Sequence, residues 1–461
     1  MLQLVLCSPF PPAQNGIADY AASVVSALSG SYEITVCTPD PFANVPPGVR
    51  LLDAAQVFRI AATDAVFIHQ IGNNADHIFV RDLACHRPGI VVIHDLRLLW
   101  LYQQCGFDRR EIAARLQRSN SYVGRARAHS FLRRGGFQSF DYMLFDMLDE
   151  LVEKAQAIVV HSDFARRHIV ARFGEAVASK TTVIPHFAFA PPAETRDQAR
   201  LRLGIDPQTV VVATYGFATR AKRYDIVAGA VAALAERRRD VLWVQAGPVR
   251  PSELDLESII RAHPALEGVT RLTGYLTDRD LGGYIAAADI AINLRYPSVG
   301  ESSGSLSRAL AAGIACVVTD TAAYRELPDE AVIKLPVGAG ADELAAVLVA
   351  LVEDPNRIAR MSDVARRYAT ETLSIKDYIK AFRSVIEHVR RNLPVKARDL
   401  PVWAPYRAEA PEALGPIPLA EVDFNLLGRK CVGYGADDVE IELTTIDTEE
   451  PCVTFRFTGR S

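Results

Sequence analysis

The chain alternates short apolar segments with amphipathic ones, and it does so in two successive arrays. The first array comprises residues 2–8, 32–38, 64–70, 89–95, 157–162 and 181–187, and the second comprises 209–216, 240–247, 269–275, 289–295 and 314–320. Most of these segments are continuous Val/Ile runs, which predict strands of parallel sheets covered on both faces. Helical patterns fill the intervals, including a long one over about 98–156 and a closing one at about 375–393.

Two βαβ arrays of similar size predict an α/β protein with two doubly wound, Rossmann-like domains. The proline cluster APPAE (190–194) separates the arrays, and a proline-rich segment with alternating apolar and polar residues follows the last helix. A small β-unit and a disordered tail both remain open for that segment. The predicted divisions are an N-terminal domain (1–190), a C-terminal domain (191–375), a crossover helix (376–395) and an extension of unknown role (396–461).

Composition narrows the function classes. The 461 residues are 49% hydrophobic and 23% charged, with a net charge of -4, so no basic excess points to nucleic acid. No apolar stretch of about 20 residues occurs, and the seven cysteines form no CxxC pair. The sequence has no GxxxxGK[ST], no HExxH and no Cys/His group with metal-ligand spacing. We expect a cytoplasmic protein without a resident metal or cofactor.

Two loops that precede predicted helices suit a phosphate. In PPAQNGIADY (11–20), Gly16 lets backbone N–H groups approach a ligand at a helix N-terminus, although an ordinary βα turn has the same pattern. In YPSVGESSGSLSRALAAG (296–313), helix amides and the hydroxyls of Ser303 and Ser305 are suited to a diphosphate. Glu301 suits a hydroxyl-bearing group there, or simply favours the helix start.

Other candidates follow predicted strands. Arg220 and Lys222 lie in YGFATRAKRYD (215–225), where cations can neutralise a leaving diphosphate or belong to a solvated loop. His94 and His161 each end a strand, and Asn73 and His77 lie in QIGNNADH (70–77), with residue types that hydrogen-bond to sugars or shape turns. Asp278-Arg279-Asp280 is formally a DxD, yet Thr277 before it favours helix capping over metal binding.

Taken in order, these motifs resemble family 4 glycosyltransferases, the retaining GT-B group, particularly bacterial enzymes of surface-polysaccharide assembly. The resemblance covers roughly 1–392 and rests on NGIADY, HQIGNN, GIVVIHDL, VVVHSDFAR, VIPHF, YGFATRAKR, LTGYLTDRDLGGYIAAADIAINLR, GESSGSLSRALAAG and YRELPD. It implies two Rossmann-like domains facing a cleft. The second domain would bind a nucleotide-sugar and the first would hold most of the acceptor site.

The resemblance also implies roles for single residues. Gly16 and Gly304 match glycines near the donor phosphates, and Lys222 matches the lysine of the basic loop. Glu301 matches the first acid of the paired-glutamate motif, and His94 matches a histidine near the reacting carbon. Arg220, Ser303 and Ser305 would join the donor site, and Asn73, His77 and His161 the acceptor side.

The sequence departs from the family pattern twice. Phe217 stands where an arginine often follows the glycine of the basic loop, and Arg220 is the candidate substitute. The second glutamate of the pair is absent, with Ala309 or Arg308 in its place. The leading interpretation is a metal-independent retaining transferase. The alternatives are a catalytically silent GT-B scaffold subunit or another GT-B enzyme, such as a sugar-nucleotide epimerase or a phosphorylase.

The expected partners are a nucleotide-sugar donor and a glycan or lipid-linked acceptor. Eight arginines between Arg109 and Arg134, interleaved with Tyr122, Phe131 and Leu132, leave two interpretations of that segment. It is either a solvated helical face or a patch that binds the anionic inner face of the membrane.

Overall fold

The computed structural model describes residues 2–59, 65–119, 123–138, 140–298 and 300–393, together with the backbone of four strands between 421 and 459. The chain divides into two compact units. Residues up to Ile184 and from Ile379 onward belong to the first unit, whereas Pro185–Ser298 and Ser302–Tyr378 belong to the second.

The first unit is built on a parallel seven-stranded sheet of order β3-β2-β1-β4-β5-β6-β7. Its strands are β1 (Gln3–Cys7), β2 (Glu33–Cys37), β3 (Arg50–Leu52), β4 (Ala65–Ile71), β5 (Ile90–Ile93), β6 (Ala157–Val160) and β7 (Thr181–Val183). The register places Cys7 of the central β1 between Cys37 and His69. β4 and β5 are buried along their whole length, as continuous apolar runs predict.

Helices of the first unit connect these strands. They are α1 (Gly16–Leu28), α2 (Ile78–His86), α3 (Leu99–Gln104), α4 (Arg109–Ser119), α5 (Val123–Arg134), α6 (Asp141–Leu144), α7 (Asp149–Lys154), α8 (Asp163–Phe173) and α9 (Glu175–Ala178), with short 3-10 turns at Ala54–Arg59 and Ala75–His77. The stretch predicted to be helical over about 98–156 thus consists of five separate helices, α3 to α7, among the residues described. Gly106 and Gly135 adopt positive φ values of 70° and 69°, and this left-handed backbone interrupts the helical path.

The second unit is built on a parallel six-stranded sheet of order β10-β9-β8-β11-β12-β13. Its strands are β8 (Val210–Tyr215), β9 (Val241–Ala246), β10 (Thr270–Leu272), β11 (Ile290–Asn293), β12 (Ala315–Thr319) and β13 (Val332–Leu335). Its helices are α10 (Arg196–Leu203), α11 (Tyr224–Arg237), α12 (Leu256–Arg261), α13 (Asp278–Ala287), α14 (Gly304–Ala312), α15 (Ala341–Glu353) and α16 (Pro355–Glu371), with 3-10 turns at Arg220–Lys222, Pro264–Leu266 and Ala322–Glu326.

Both sheets have the doubly wound arrangement. The chain moves outward from β1 to β3 on one side and then continues from β4 on the other, and it does the same from β8 to β10 and from β11. Ligands of such sheets bind at the carboxyl ends of the strands beside this change of direction. The loops after β1, β4, β8 and β11 are therefore the places to look for a site.

The last helix, α17 (Ile375–Arg391), contributes to the first unit from Ile379 onward, where Arg383 donates a hydrogen bond of 2.8 Å to Ser31. Beyond it, β14 (Glu421–Phe424) pairs antiparallel with β15 (Arg429–Val432), and β16 (Val439–Asp447) pairs antiparallel with β17 (Cys452–Gly459). These two antiparallel pairs correspond to the small β-unit, one of the two alternatives left open for this segment.

The arginine-rich segment is partly internal. Arg115 is buried, lies 3.1 Å from Glu150 and covers the Phe107 ring at 3.7 Å. Arg127 makes two hydrogen bonds of 2.7 Å to the buried Asp141. A buried arginine needs such a carboxylate partner, so these two guanidiniums stabilise the core.

Six arginines of the segment stay exposed: Arg109, Arg110, Arg118, Arg125, Arg133 and Arg134. The apolar residues interleaved with them in the sequence do not share this exposure, because Phe131 belongs to the core and Leu132 packs against it. Tyr122 lies outside the described residues. Contact with an anionic surface stays a prediction, and it would be electrostatic rather than insertive. In the part of the chain described, no helix has the length and apolarity needed to cross a bilayer.

Candidate functional site

The glycine loop after β1 leads into α1. Asn15 caps the helix, because its side chain accepts a hydrogen bond of 2.9 Å from the Ile17 amide. Gly16 is the first helical residue and is exposed, and a Cβ built on it meets no heavy atom within 4 Å. Its backbone also avoids the left-handed region. Neither packing nor conformation therefore requires glycine here, and the open space above Gly16 leaves room for a ligand.

The cap also reaches the loop after β4. The Asn15 amide donates to Asp76 at 2.9 Å and lies 3.5 Å from Nε2 of His77. Nδ1 of His77 lies 2.8 Å from the carbonyl oxygen of Gln70. Burial lowers the pKa of His77 to about 4, against the opposing effect of that carbonyl, so the ring is neutral at pH 7.

Two strand-end histidines meet at the ends of β5 and β6. Nδ1 of His94 lies 3.3 Å from Nε2 of His161, and Nε2 of His94 lies 2.7 Å from Oε1 of Gln70. His161 in turn directs its Nδ1 at the Ile184 carbonyl, at 2.9 Å. Burial lowers the pKa of His161 to about 4. The predicted strand-end pair is thus a contiguous polar chain inside the first unit.

Asn73 has a structural contact in addition to its predicted acceptor role. Its side-chain oxygen accepts a hydrogen bond of 2.9 Å from the backbone amide of Leu101 in α3. Its backbone amide donates to the Asp95 carboxylate at 2.8 Å. Asn74 similarly caps the 3-10 turn that follows. The asparagine pair therefore fixes the loop after β4 against the loop after β5.

The basic loop after β8 is shaped by glycines. Gly216 has a φ of 73°, and a Cβ built on Gly247 would lie 2.5 Å from the Gly216 carbonyl oxygen. The ends of β8 and β9 can approach so closely only without side chains. Nζ of Lys222 folds back over this turn and donates to the Tyr215 carbonyl at 2.5 Å.

Lys222 is a half-buried cation beside a second cation. Burial and, secondly, the positive charge of Arg295 lower the pKa of Lys222 well below its usual range. Among the described residues no carboxylate forms an ion pair with Lys222. Arg295 follows β11, the neighbour of β8, and its amide donates to Thr319 at 3.0 Å. Two cations at one sheet edge favour an anionic ligand.

The start of α14 adds polar groups to the same edge. Ser303 caps the helix by accepting from the Leu306 amide at 3.2 Å, and its hydroxyl also lies 3.1 Å from that of Ser305. Ser303 donates to Oδ1 of Asn293 at 3.2 Å. Nδ2 of Asn293 is buried and has no hydrogen-bond partner among the residues described. Buried polar groups are rarely left unpaired, so this amide is suited to donate a hydrogen bond to an acceptor at this edge.

The remaining donor-side candidates lie in the loops before α14 and after β8. Gly304 has ordinary van der Waals room, since a Cβ there would be 3.6 Å from Phe189, whereas Gly300 has a φ of 77° that requires glycine. Glu301 is half-buried in the loop before α14. Arg220 is exposed on its 3-10 turn.

Two sequence departures have structural counterparts. The Phe217 ring, at the position of the family arginine, is covered by the guanidinium of Arg250 at 4.6 Å. Ala309 is fully buried, and Arg308 instead lies over the Phe189 ring at 3.8 Å. Neither Ala309 nor Arg308 can supply the carboxylate of the second glutamate.

The DxD sequence behaves as a helix cap. Thr277 caps α13 by accepting from the Asp280 amide at 3.2 Å, and its hydroxyl donates to the Asp280 carboxylate at 2.8 Å. Asp278 lies 3.3 Å from Arg308. The capping interpretation of this sequence agrees with the geometry.

Three site residues were not found from the sequence: Gln70, Asn293 and Arg295. Gln70 follows His69 in an otherwise apolar strand, Asn293 is the one polar residue of its strand, and Arg295 follows a strand end. A signal existed only for Asn293, a polar residue that closes a buried strand ahead of a serine- and glycine-rich loop.

Comparison with known proteins now adds to this geometry. Residues 207–354 match the family model described as "Glycosyl transferases group 1". Comparison with curated proteins gives no match. The matched range contains the basic loop, the loop before α14 and the serine cluster.

Solved structures match over most of the chain. Anabaena Alr3699/HepE in complex with UDP-glucose is 14% identical, with 84% of this chain and 100% of that chain covered and a TM-score of 0.61. Sucrose-phosphate synthase from Thermosynechococcus elongatus is 15% identical; the match covers 85% of this chain and 100% of that chain, with a TM-score of 0.59. WaaG, a glycosyltransferase of lipopolysaccharide biosynthesis, is 17% identical; the match covers 85% of this chain and 100% of that chain, with a TM-score of 0.55.

These likenesses define the fold as GT-B, with two Rossmann-like domains. The family match lies almost wholly within the second unit.

Proposed function

We propose that this chain is a retaining glycosyltransferase that moves a sugar from a nucleotide-diphosphate sugar to a glycan or lipid-linked acceptor without a metal ion. The observation that carries the proposal is the cation pair Lys222 and Arg295 beside the N-terminus of α14, where Asn293 holds a buried, unpartnered amide. A diphosphate would supply a counter-charge for Lys222, with which no carboxylate among the described residues forms an ion pair, and a hydrogen-bond acceptor for the Asn293 amide.

The proposed chemistry follows from where charge develops. The bond between the anomeric carbon and the diphosphate breaks, and its electron pair leaves with the phosphate. The Lys222 ammonium and the amides at the start of α14 stabilise that charge electrostatically, without reorganisation during the reaction. The acceptor hydroxyl attacks from the same face, and its proton passes to the leaving phosphate.

The other predicted residues receive supporting roles in this proposal. Gly16 leaves space for a ligand at the α1 N-terminus, which suits the donor phosphates. His94 orients or polarises the transferred sugar, and Glu301 accepts hydrogen bonds from its hydroxyls. Arg220 adds charge at the basic loop.

The acceptor-side residues Asn73, His77 and His161 stay predictions, and so does location at the inner face of the membrane. The comparisons support only the donor class: related folds were solved with UDP and with UDP-glucose.

A ligand screen tests the donor. We expect GDP, UDP or ADP, or a sugar conjugate of one of them, to raise the melting temperature, because binding to the native state stabilises it by about 2.7 kcal/mol at 100 times Kd. Lys222→Met should reduce the shift, because one of the groups that bind the diphosphate is removed. Lys334→Met is the matched control, because Lys334 is also half-buried in the second unit but pairs with Asp329 at 2.6 Å.

Product analysis tests the reaction. NMR of the product formed from an α-linked donor should show an α-linkage, and turnover should survive EDTA. An inverted linkage would refute retention, and loss of turnover restored by a divalent cation would refute metal independence. No nucleotide-induced shift at millimolar concentration, in wild-type protein that is folded, would overturn the donor assignment itself.

A further inference from the structure

The polar chain that runs from Ile184 through His161 and His94 to Gln70, here called the histidine chain, lies wholly within the first unit. Its directions of donation can be worked out from one end. The Ile184 carbonyl oxygen can only accept, so Nδ1 of His161, 2.9 Å away, carries a proton.

The next link follows from the charge of His161. Burial lowers its pKa to about 4, so the ring is neutral at pH 7 and its single proton is the one on Nδ1. Nε2 of His161 therefore bears a lone pair. Nδ1 of His94 lies 3.3 Å from that lone pair and must carry the proton that the two nitrogens share.

The other nitrogen of His94 faces an amide that can present either of two atoms. Nε2 of His94 is 2.7 Å from Oε1 of Gln70, while Nε2 of Gln70 is buried without a hydrogen-bond partner among the described residues. In the orientation described, the amide oxygen of Gln70 can accept a hydrogen bond from a protonated Nε2 of His94. If the amide group turned over, its NH2 could instead donate to an unprotonated Nε2. Nε2 is thus the only ring nitrogen of His94 whose partner can adapt to a change of protonation.

Packing holds the ring from further sides. Tyr20 places its ring edge-on to His94, with centroids 4.8 Å apart and an interplanar angle of 86°, and it also contacts His161 at 5.6 Å. The backbone of Gln70 is itself held in place, because its backbone carbonyl accepts a hydrogen bond of 2.8 Å from Nδ1 of His77. The imidazole of His94 is therefore restrained in both place and orientation.

We propose that His161 and Gln70 are positioning residues for His94, and that His161 fixes a proton on Nδ1 of the His94 ring. The consequence for catalysis rests on the proposed function, in which His94 acts on the transferred sugar. The proton position itself does not depend on that function, and it can be measured in protein with no substrate.

Nitrogen-15 NMR of the full-length, histidine-labelled protein tests the proton position. We expect His94 to have a protonated Nδ1 at pH 7. His69 is the internal reference of opposite sense: burial lowers its pKa to about 4 and its Nε2 lies 2.7 Å from the Arg87 carbonyl, so its proton is on Nε2. A bare Nδ1 on His94 would overturn the proposal.

Paired substitutions test the positioning role. In His161→Asn the amide reaches the position of Nδ1 and the acceptor toward His94 is lost, whereas in His161→Gln an amide oxygen can take the place of Nε2. We expect His161→Asn to lower kcat roughly tenfold to a hundredfold, as displaced catalytic groups do, with the donor KM and the Kd for UDP, GDP or ADP unchanged. His161→Gln should recover most of the rate.

His69→Gln is the control, because His69 is another buried histidine and has no described contact with His94. This variant should keep the wild-type kcat. Equal rates in His161→Asn and His161→Gln would refute the acceptor role. If His161→Asn fails to fold, the NMR result on the wild-type protein still decides the proton position. Wild-type protein that shows the protonated Nδ1 but transfers no sugar would contradict the proposed function and leave this assignment standing.

Discussion

Replacing Lys222 by methionine should move activity and stability in opposite directions. The side chains are similar in length, but methionine has neither the ammonium group nor the hydrogen bond of 2.5 Å to the Tyr215 carbonyl. The lysine is half-buried beside Arg295, and among the described residues no carboxylate pairs with it. Its charge is therefore unfavourable in the free protein and favourable only when an anion is bound.

The loss of activity can be sized from this arrangement. Removing one preorganised donor to a developing negative charge costs roughly 100- to 1000-fold in kcat, or about 3–4 kcal/mol. Arg295 and the α14 amides remain, so turnover should fall into this range and not to zero. The donor KM should also rise, because the ground-state diphosphate is already negative.

The gain in stability has a defined pH dependence. Because burial lowers the pKa of Lys222, the unfolded chain holds its proton more tightly than the native state, and wild-type stability rises with pH between the two pKa values. Methionine removes this penalty. The variant should therefore be more stable at neutral pH, and its advantage should shrink toward the ordinary lysine pKa of about 10.4.

Urea unfolding across pH, together with initial transfer rates, measures both effects. Each unit of pKa displacement corresponds to about 1.4 kcal/mol, so the pH-dependent part of the difference in unfolding free energy between variant and wild type measures the displacement. Lys334→Met is the control and should lose a little stability at neutral pH while keeping its rate. A Lys222→Met variant that turns over at the wild-type rate, or is less stable at pH 7, would refute the reasoning.

Three further predictions follow from the same structure. Gly16→Ala should fold with wild-type stability yet weaken nucleotide binding measured by calorimetry, whereas Gly72→Ala should lower the melting temperature, because a Cβ there collides with the His77 ring. Nucleotide affinity should rise as pH falls through the pKa of bound Lys222, since the anion raises that pKa and binding takes up a proton; a pH-independent Kd would contradict this. Thr277→Ala should cost about 1 kcal/mol in urea unfolding through loss of the helix cap, and an unchanged unfolding free energy would contradict the capping role.

The sequence patterns that predicted the fold are those that repeat along one element. Continuous Val/Ile runs such as IVVI (Ile90–Ile93) predict a strand buried on both faces. Each of the segments predicted in the two arrays contains a strand. β3 and β13 were missed because neither belongs to a continuous Val/Ile run and both are edge strands with partly exposed residues.

Candidate residues divide in a similar way. Lys222 and Ser303 lie in loops whose composition indicates chemistry, so the sequence suggested them. Gln70 is one polar residue in a buried strand, and its significance comes from a histidine 24 residues away in the chain. The burial of Arg115 likewise depends on Glu150, 35 residues distant. Contacts of this kind are set by strand order and helix packing, which a local pattern does not report.

The histidine chain is bonded within the first unit, from Gln70 through His94 to His161. Substitutions that share such a network are not additive in free energy. A double change at Gln70 and His161 should therefore alter stability by an amount that differs from the sum of the two single changes, so the tolerance of each position to substitution depends on the residue at the other.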